Sequence, residues 1–133
     1  VIPNTDFSNP FKKIYFIFIK KQDPYTLAAV EDLLKKFKNN INLIKGNSNK
    51  VLKEIDISNI DYVFLDGGHD YSTVFNDLNN CIDVIKNGGT ILCDDYNLSY
   101  APGVKKAIDE YIQINSFNCE LLCDSRFAKI EMK

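Results

Sequence analysis

Ile60-Asp-Tyr-Val-Phe-Leu-Asp-Gly-Gly-His-Asp-Tyr71 and Asn87-Gly-Gly-Thr-Ile-Leu-Cys-Asp-Asp-Tyr-Asn97 decide how this chain folds. Each is a short apolar run that stops abruptly on acidic residues, and a segment with helical spacing lies between them. A buried strand that ends on carboxylates puts charge at the rim of a sheet. In open α/β sheets that rim, outside the carboxyl ends of the strands, is where ligands bind. Two neighbouring strand ends would bring Asp66, Asp94 and Asp95 to one place, with His69 three residues past the first of them.

The same alternation extends outward in both directions. Ile14-Tyr-Phe-Ile-Phe-Ile19 is continuously apolar, β-branched and aromatic, which suits a strand covered on both faces. Asp23-Pro24 is expected to open a helix, with Asp as cap and Pro in its first turn. Leu27, Val30, Leu33, Leu34 and Phe37 continue it at helical spacing, and Asn39-Asn40 stops it. Ile41 to Gly46 reads as a short strand, and Asn47 or Ser48 as the cap of a brief helix containing Val51, Leu52 and Ile55. Between the two acidic strand ends, Ser72 to Lys86 predicts a helix with Val74, Phe75, Leu78, Cys81, Ile82 and Ile85 on one side. Asn87 to Gly89 turns into the strand Thr90 to Cys93. Gly103 to Ile114 predicts another helix, with Val104, Ala107, Ile108 and Tyr111 facing inward. Asn118 to Cys123 and Phe127 to Met132 read as two strands joined tightly through Asp124-Ser125-Arg126. This order predicts one α/β domain over residues 1–133: a doubly wound, mostly parallel sheet closed by an antiparallel hairpin.

Composition narrows the function. With 45% hydrophobic and 26% charged residues, the chain is an ordinary globular protein. A net charge of −2, with lysines scattered among acids, provides no basic field for a nucleic-acid backbone. The longest apolar run, Ile14 to Ile19, falls far short of the ~20 residues of a membrane span. No nucleic-acid or membrane partner is therefore expected. Cysteines 81, 93, 119 and 123 have no CxxC spacing, and Cys81 and Cys93 fall inside apolar segments. All four read as reduced thiols of a cytoplasmic protein without a signal peptide. The first residue is Val1 rather than Met, so the chain is expected to be part of a longer protein.

The set Asp61-Tyr-Val-Phe-Leu-Asp-Gly-Gly-His-Asp-Tyr71, Asp77-Leu78, Ile85-Lys-Asn-Gly-Gly-Thr-Ile-Leu-Cys-Asp-Asp-Tyr96 and Gly103-Val-Lys-Lys-Ala107 resembles the class I S-adenosylmethionine-dependent methyltransferases. The similarity is to the branch that includes catechol-type and macrolide-sugar O-methyltransferases. It covers residues 41–115 well and 13–40 moderately. The resemblance implies a Rossmann-like methyltransferase fold, with S-adenosyl-L-methionine and Mg2+ as cofactors. One departure stands out. That family cradles the methionine part of its cofactor in a Gly-rich loop after its first strand, whereas the six glycines here stand at 46, 67, 68, 88, 89 and 103. Ile14–Ile19 then matches the family's second strand, and the first strand and Gly-rich motif are expected to be missing. A sheet without that middle strand would leave unpaired backbone groups at ~1–3 kcal/mol each. A homodimer that buries the open edge is one expected remedy.

The resemblance carries over residue by residue. It sets Asp66, Asp94 and Asp95 where metal-dependent members hold Mg2+. Clustered carboxylates also repel one another unless protonated or neutralised, which a hard cation achieves directly. The plainer reading is that Asp94 caps the following segment and Asp95 is solvated. His69, the single histidine, matches the base that deprotonates the acceptor hydroxyl, with Asp66 beside it; otherwise it is hydrogen-bonded within its loop. Gly46, Asn47, Ser48 and Asn49 match the segment that contacts adenine, and Ser or Asn there also caps a helix. Asp23 falls near the position of an acid that grips the ribose, with Asp66 completing the cofactor set. Tyr71 and Tyr96 either wall an acceptor pocket or pack. The leading expectation is an O-methyltransferase of a small hydroxylated molecule. The alternative is a degenerate methyltransferase-like domain that serves binding or assembly.

Overall fold

The computed structural model describes residues 26–133. Its contacts divide the chain into two compact units, Val1–Asn47 and Ser48–Lys133. The strand expected at Ile14 to Ile19 lies outside the described residues, as does Asp23.

In the first unit, helix α1 spans Leu27–Leu34 and runs into a 3-10 turn at Lys35–Phe37. Thr26, not Asp23, caps α1. Its backbone is extended (ψ 150°) and its Oγ1 accepts from the Ala29 amide at 3.3 Å. The expected strand at 41–46 is not formed among the described residues: this segment has no ladder pairing.

The second unit holds α2 (Ser48–Glu54), β1 (Ile60–Leu65), α3 (Tyr71–Ile82), β2 (Ile85–Cys93), α4 (Pro102–Asn115), β3 (Asn118–Leu122) and β4 (Phe127–Glu131). The strands form one sheet in the order β1-β2-β4-β3. β1 and β2 are parallel, joined through α3, while β2–β4 and β4–β3 are antiparallel. Among the described strands the expected parallel pairing is met by β1–β2 alone. The hairpin does not merely edge the sheet; it sets β4 directly against β2 and contributes half of the described strands.

Two boundaries differ from the sequence expectation. α3 ends at Ile82 rather than Lys86, because Ile85 is taken into the ladder opposite Ile60. The register then passes to Tyr62↔Thr90, so residues 86–89 loop out of the strand. Gly88 makes this turn at φ +76°, a conformation that costs glycine little. Its amide donates to the Met132 carbonyl at 3.1 Å.

The core is built where the helical and strand periodicities meet. Leu78 of α3, Ile91 of β2, Ala107, Ile108 and Tyr111 of α4, and Ala128 and Ile130 of β4 are all fully enclosed. The Tyr111 hydroxyl donates to the Leu78 carbonyl at 3.2 Å, tying α4 to α3. Val63 and Leu65 of β1 pack on this core. Tyr62 and Phe64, on the alternate face of that strand, remain 52% and 49% exposed. All four cysteines are free thiols. Burial pushes Cys81 up to about 11 and Cys93 up to about 12, so both are neutral thiols in the core.

Candidate active site

β1 and β2 end level with each other. The Asp94 amide donates to the Leu65 carbonyl at 2.9 Å, which carries the parallel ladder one bond past the strands. Asp66 and Asp94 thus leave the sheet side by side. From Asp66 the chain runs through Gly67 and Gly68 to His69, and Asp70 then caps α3. Its carboxylate accepts from the Ser72 hydroxyl (2.6 Å), the Thr73 amide (2.9 Å) and the Thr73 hydroxyl (2.6 Å). Those donors, Ser72 first, hold the Asp70 carboxyl well below the usual carboxylate range. The residue after His69 is thereby pinned.

The other side of this loop is fixed by α4. A Cβ at Gly103 would stand 2.7 Å from the Tyr71 amide nitrogen and 2.9 Å from the His69 carbonyl oxygen. Glycine lets the first turn of α4 lie against the backbone of residues 69–71, and larger residues are shut out.

His69 points back over the end of β2. Its Nε2–H donates to Asp95 Oδ2 at 3.1 Å, and its ring lies 6.1 Å from that of Tyr100. Asp95 sits in the left-handed region at φ +62°, which aspartate tolerates better than most residues. Its amide donates to Asp94 Oδ1 at 2.7 Å. Asp94 in turn receives a two-pronged contact from Arg126: Nε to Oδ1 at 2.8 Å and Nη2 to Oδ2 at 2.9 Å. The Asp94 side chain is only 8% exposed. Hydrogen bonding from Arg126 lowers its pKa, and the same contact raises that of Arg126.

Asp66, His69, Asp94 and Asp95 therefore line one small cavity, of about 20 Å³, together with Asp77, Val74 and Val104. That is room for about one water molecule. Asp66 is exposed and accepts no hydrogen bond among the described residues. The expected Mg2+ set finds no support. Among the described residues no three His, Cys, Asp or Glu side chains are arranged to hold an ion. Arg126 takes both oxygens of Asp94, while Asp95 is engaged by His69. Asp66, Asp94 and Asp95 do not fit a divalent cation in this arrangement.

Of the residues expected to contact cofactor, Asp23 lies outside the described residues, and Gly46 and Asn47 belong to the first unit. Ser48 and Asn49 begin α2 and face α3: the Ser48 hydroxyl donates to Asp77 Oδ1 at 2.6 Å, and Asn80 Nδ2 to Asn49 Oδ1 at 2.7 Å. Asp77 and Asn80 are the buried polar residues of α3, and these contacts satisfy them. Tyr96 is buried. Its hydroxyl donates to Asp109 Oδ1 and accepts from Lys105 Nζ, each at 2.6 Å, on one wall of an open polar groove along α4. Tyr71 stacks on Phe75 at 5.5 Å.

The sequence reading quotes Asp77 and Gly103 only within the motifs of the resemblance and gives neither them nor Arg126 a role in the site. Arg126 was legible only as part of a tight turn. The antiparallel register Cys93↔Ala128, continued by the Tyr96 amide donating to the Arg126 carbonyl at 2.9 Å, brings it to the acidic strand end.

An α/β sheet with a His–Asp pair and further carboxylates at the carboxyl ends of two parallel strands defines a ligand-binding or catalytic α/β domain. Residues 6–96, more than half of the chain, match the model of a family described as a methyltransferase domain, and the chain belongs to that family. It is 30% identical over 103 residues to the uncharacterised protein R132 of Acanthamoeba polyphaga mimivirus. That match takes in 68% of this chain and 46% of the relative, so the chain spans about half the length of the curated relative. Among solved structures it resembles the O-methyltransferase NovP (TM-score 0.65, 18% identity, 100% of this chain and 55% of that one). It also resembles CalS11, a TDP-rhamnose 3'-O-methyltransferase of calicheamicin biosynthesis (TM-score 0.59, 15% identity, 82% and 55%). At these identities the solved structures speak for the Rossmann-like methyltransferase fold.

Proposed function

We propose that this chain carries the catalytic site of an S-adenosylmethionine-dependent O-methyltransferase acting on a small hydroxylated molecule. The observation that carries the reading is the His69–Asp95 pair, 3.1 Å apart at the rim of the parallel strands. Family membership supports methyl transfer, and the named O-methyltransferases among structural neighbours support oxygen as the acceptor atom.

The chemistry follows from the pair. Because Nε2–H is committed to Asp95, Nδ1 of His69 carries the free lone pair. His69 is 43% exposed, so an acceptor hydroxyl can reach it. An acceptor hydroxyl would pass its proton to Nδ1, leaving its oxygen to take the methyl group that bound S-adenosylmethionine would give up as its sulfonium C–S bond breaks to a neutral thioether, and the positive imidazole would be stabilised by the Asp95 carboxylate. Bound S-adenosylmethionine supplies an electrophilic methyl group on a sulfonium. Asp66, an exposed carboxylate with no donor among the described residues, fits the hydroxyl or amino donors of such a molecule. Mg2+ enters no step, since the carboxylates do not form a ligand set.

Calorimetric titration with S-adenosylmethionine, followed by transfer of labelled methyl to a panel of sugar and phenolic hydroxyls, tests the reading. Micromolar binding is expected, with His69→Gln lowering the rate ~10²–10⁴-fold at unchanged cofactor affinity. Full transfer by His69→Gln would overturn the role of His69. A cooperatively folded protein that binds no cofactor would favour the non-catalytic alternative.

A further inference from the structure

We infer that Arg126 takes the place of a divalent cation at the acidic strand ends, so that the site is assembled by a guanidinium and takes up no metal while Arg126 is present. Three carboxylates, Asp66, Asp94 and Asp95, leave two adjacent strands within a few residues of one another. The mutual repulsion of such a cluster is relieved by positive charge placed beside it. Arg126 supplies it in a form that competes directly with a metal. Asp94 Oδ1 accepts from Arg126 Nε at 2.8 Å and from the Asp95 amide at 2.7 Å, and Oδ2 accepts from Arg126 Nη2 at 2.9 Å. Mg2+ demands near-octahedral oxygen ligands at ~2.0–2.1 Å and gives up its water reluctantly. It would have to displace a fixed fork that is always charged and matches the carboxylate geometry.

The same contact makes Arg126 a positioning residue. Arg126 holds Asp94; Asp94 Oδ1 holds the Asp95 amide in its left-handed turn; Asp95 Oδ2 holds His69 Nε2 at 3.1 Å. The guanidinium thus sets the orientation of the imidazole from two residues away. Arg126 reaches this point through the β2–β4 register and not through any local motif.

His69 is the only histidine, so its imidazole protons give unambiguous NMR signals. Manganese chloride is titrated into the full chain, and paramagnetic broadening of those signals reports an ion at the site. Wild-type signals are expected to keep their widths at equimolar Mn2+. Arg126→Gln is expected to broaden at the same concentration, and so is Arg126→Lys, which keeps the charge but loses the fork. Broadening in the wild type at equimolar Mn2+ would overturn the inference. So would an Arg126→Gln variant that responds no more than wild type, or a Lys variant that keeps wild-type widths. The Arg126 side chain is 60% exposed, so these substitutions leave the core untouched, and a thermal melt checks it. The inference concerns the site of the proposed transferase, but the titration reads no turnover. Its failure therefore leaves the S-adenosylmethionine result standing, and the reverse holds as well.

Discussion

Replacing Gly103 with alanine sets a helix preference against a steric limit. Gly103 is the second residue of α4, and alanine in place of glycine within a helix is favoured by ~1 kcal/mol. Propensity alone therefore predicts a more stable protein. The surroundings predict the opposite. The new Cβ would lie 2.7 Å from the Tyr71 nitrogen, 2.9 Å from the His69 oxygen and 3.2 Å from the Asp70 carbonyl carbon. The closest of these is about 0.7 Å short of the 3.4 Å at which ordinary contact begins. All three atoms are backbone, so no rotamer change relieves them, and either α4 or the His69 loop must move. Overpacking of this kind costs ~1–3 kcal/mol, and the rigid neighbours put it near the upper end. The net loss is about 2 kcal/mol once helix propensity is subtracted. At ~4 °C per kcal/mol, the Tm falls by ~8 °C. The clash falls on the backbone of the His69 loop, so the imidazole NMR signals should shift together with the loss of stability. Urea denaturation with an unchanged m-value measures the first effect. A Gly103→Ala protein as stable as wild type, with His69 unshifted, would refute the argument that close approach dictates this glycine.

Two further outcomes test the core. Leu78→Ala removes a fully enclosed side chain between α3 and the sheet and is expected to cost ~2–5 kcal/mol by urea denaturation; a loss below 1 kcal/mol would place Leu78 outside the core. Cys81 keeps its proton in the fold until about pH 11, whereas the unfolded thiol ionises near its ordinary value of 9.0. The native state therefore binds more protons between these values. The Cys81 contribution is whole below pH 9 and declines as the pH rises toward 11, at up to ~1.4 kcal/mol per pH unit. Cys81→Ala should lose stability less steeply than wild type over that window, and parallel slopes would contradict the buried neutral thiol.

Elements held by contacts near in sequence were legible without coordinates. Helical spacing of Val104, Ala107, Ile108 and Tyr111 defines the inner face of α4, and those four are its buried residues. The parallel pair β1–β2 and the acidic residues at their ends follow from two apolar runs flanking a helix. The cap of α1 was misplaced onto Asp23, because Thr26, three residues later, offers the same kind of oxygen to the same kind of donor. The strand expected at 41–46 shows the limit of pattern: an apolar run states a preference, while a ladder needs a partner.

By itself, then, the sequence determined the alternation of helices and strands, the α/β class, and the gathering of Asp66, His69, Asp94 and Asp95 at one rim. These depend on period and on chain neighbours, which the sequence displays directly. Only the tertiary structure decided that β4 lies against β2, that Arg126 consequently takes both oxygens of Asp94, and that Gly103 admits the His69 loop against α4. Each of these brings together groups more than 30 residues apart. Register and close approach are properties of packed surfaces, so no local pattern in the chain encodes them.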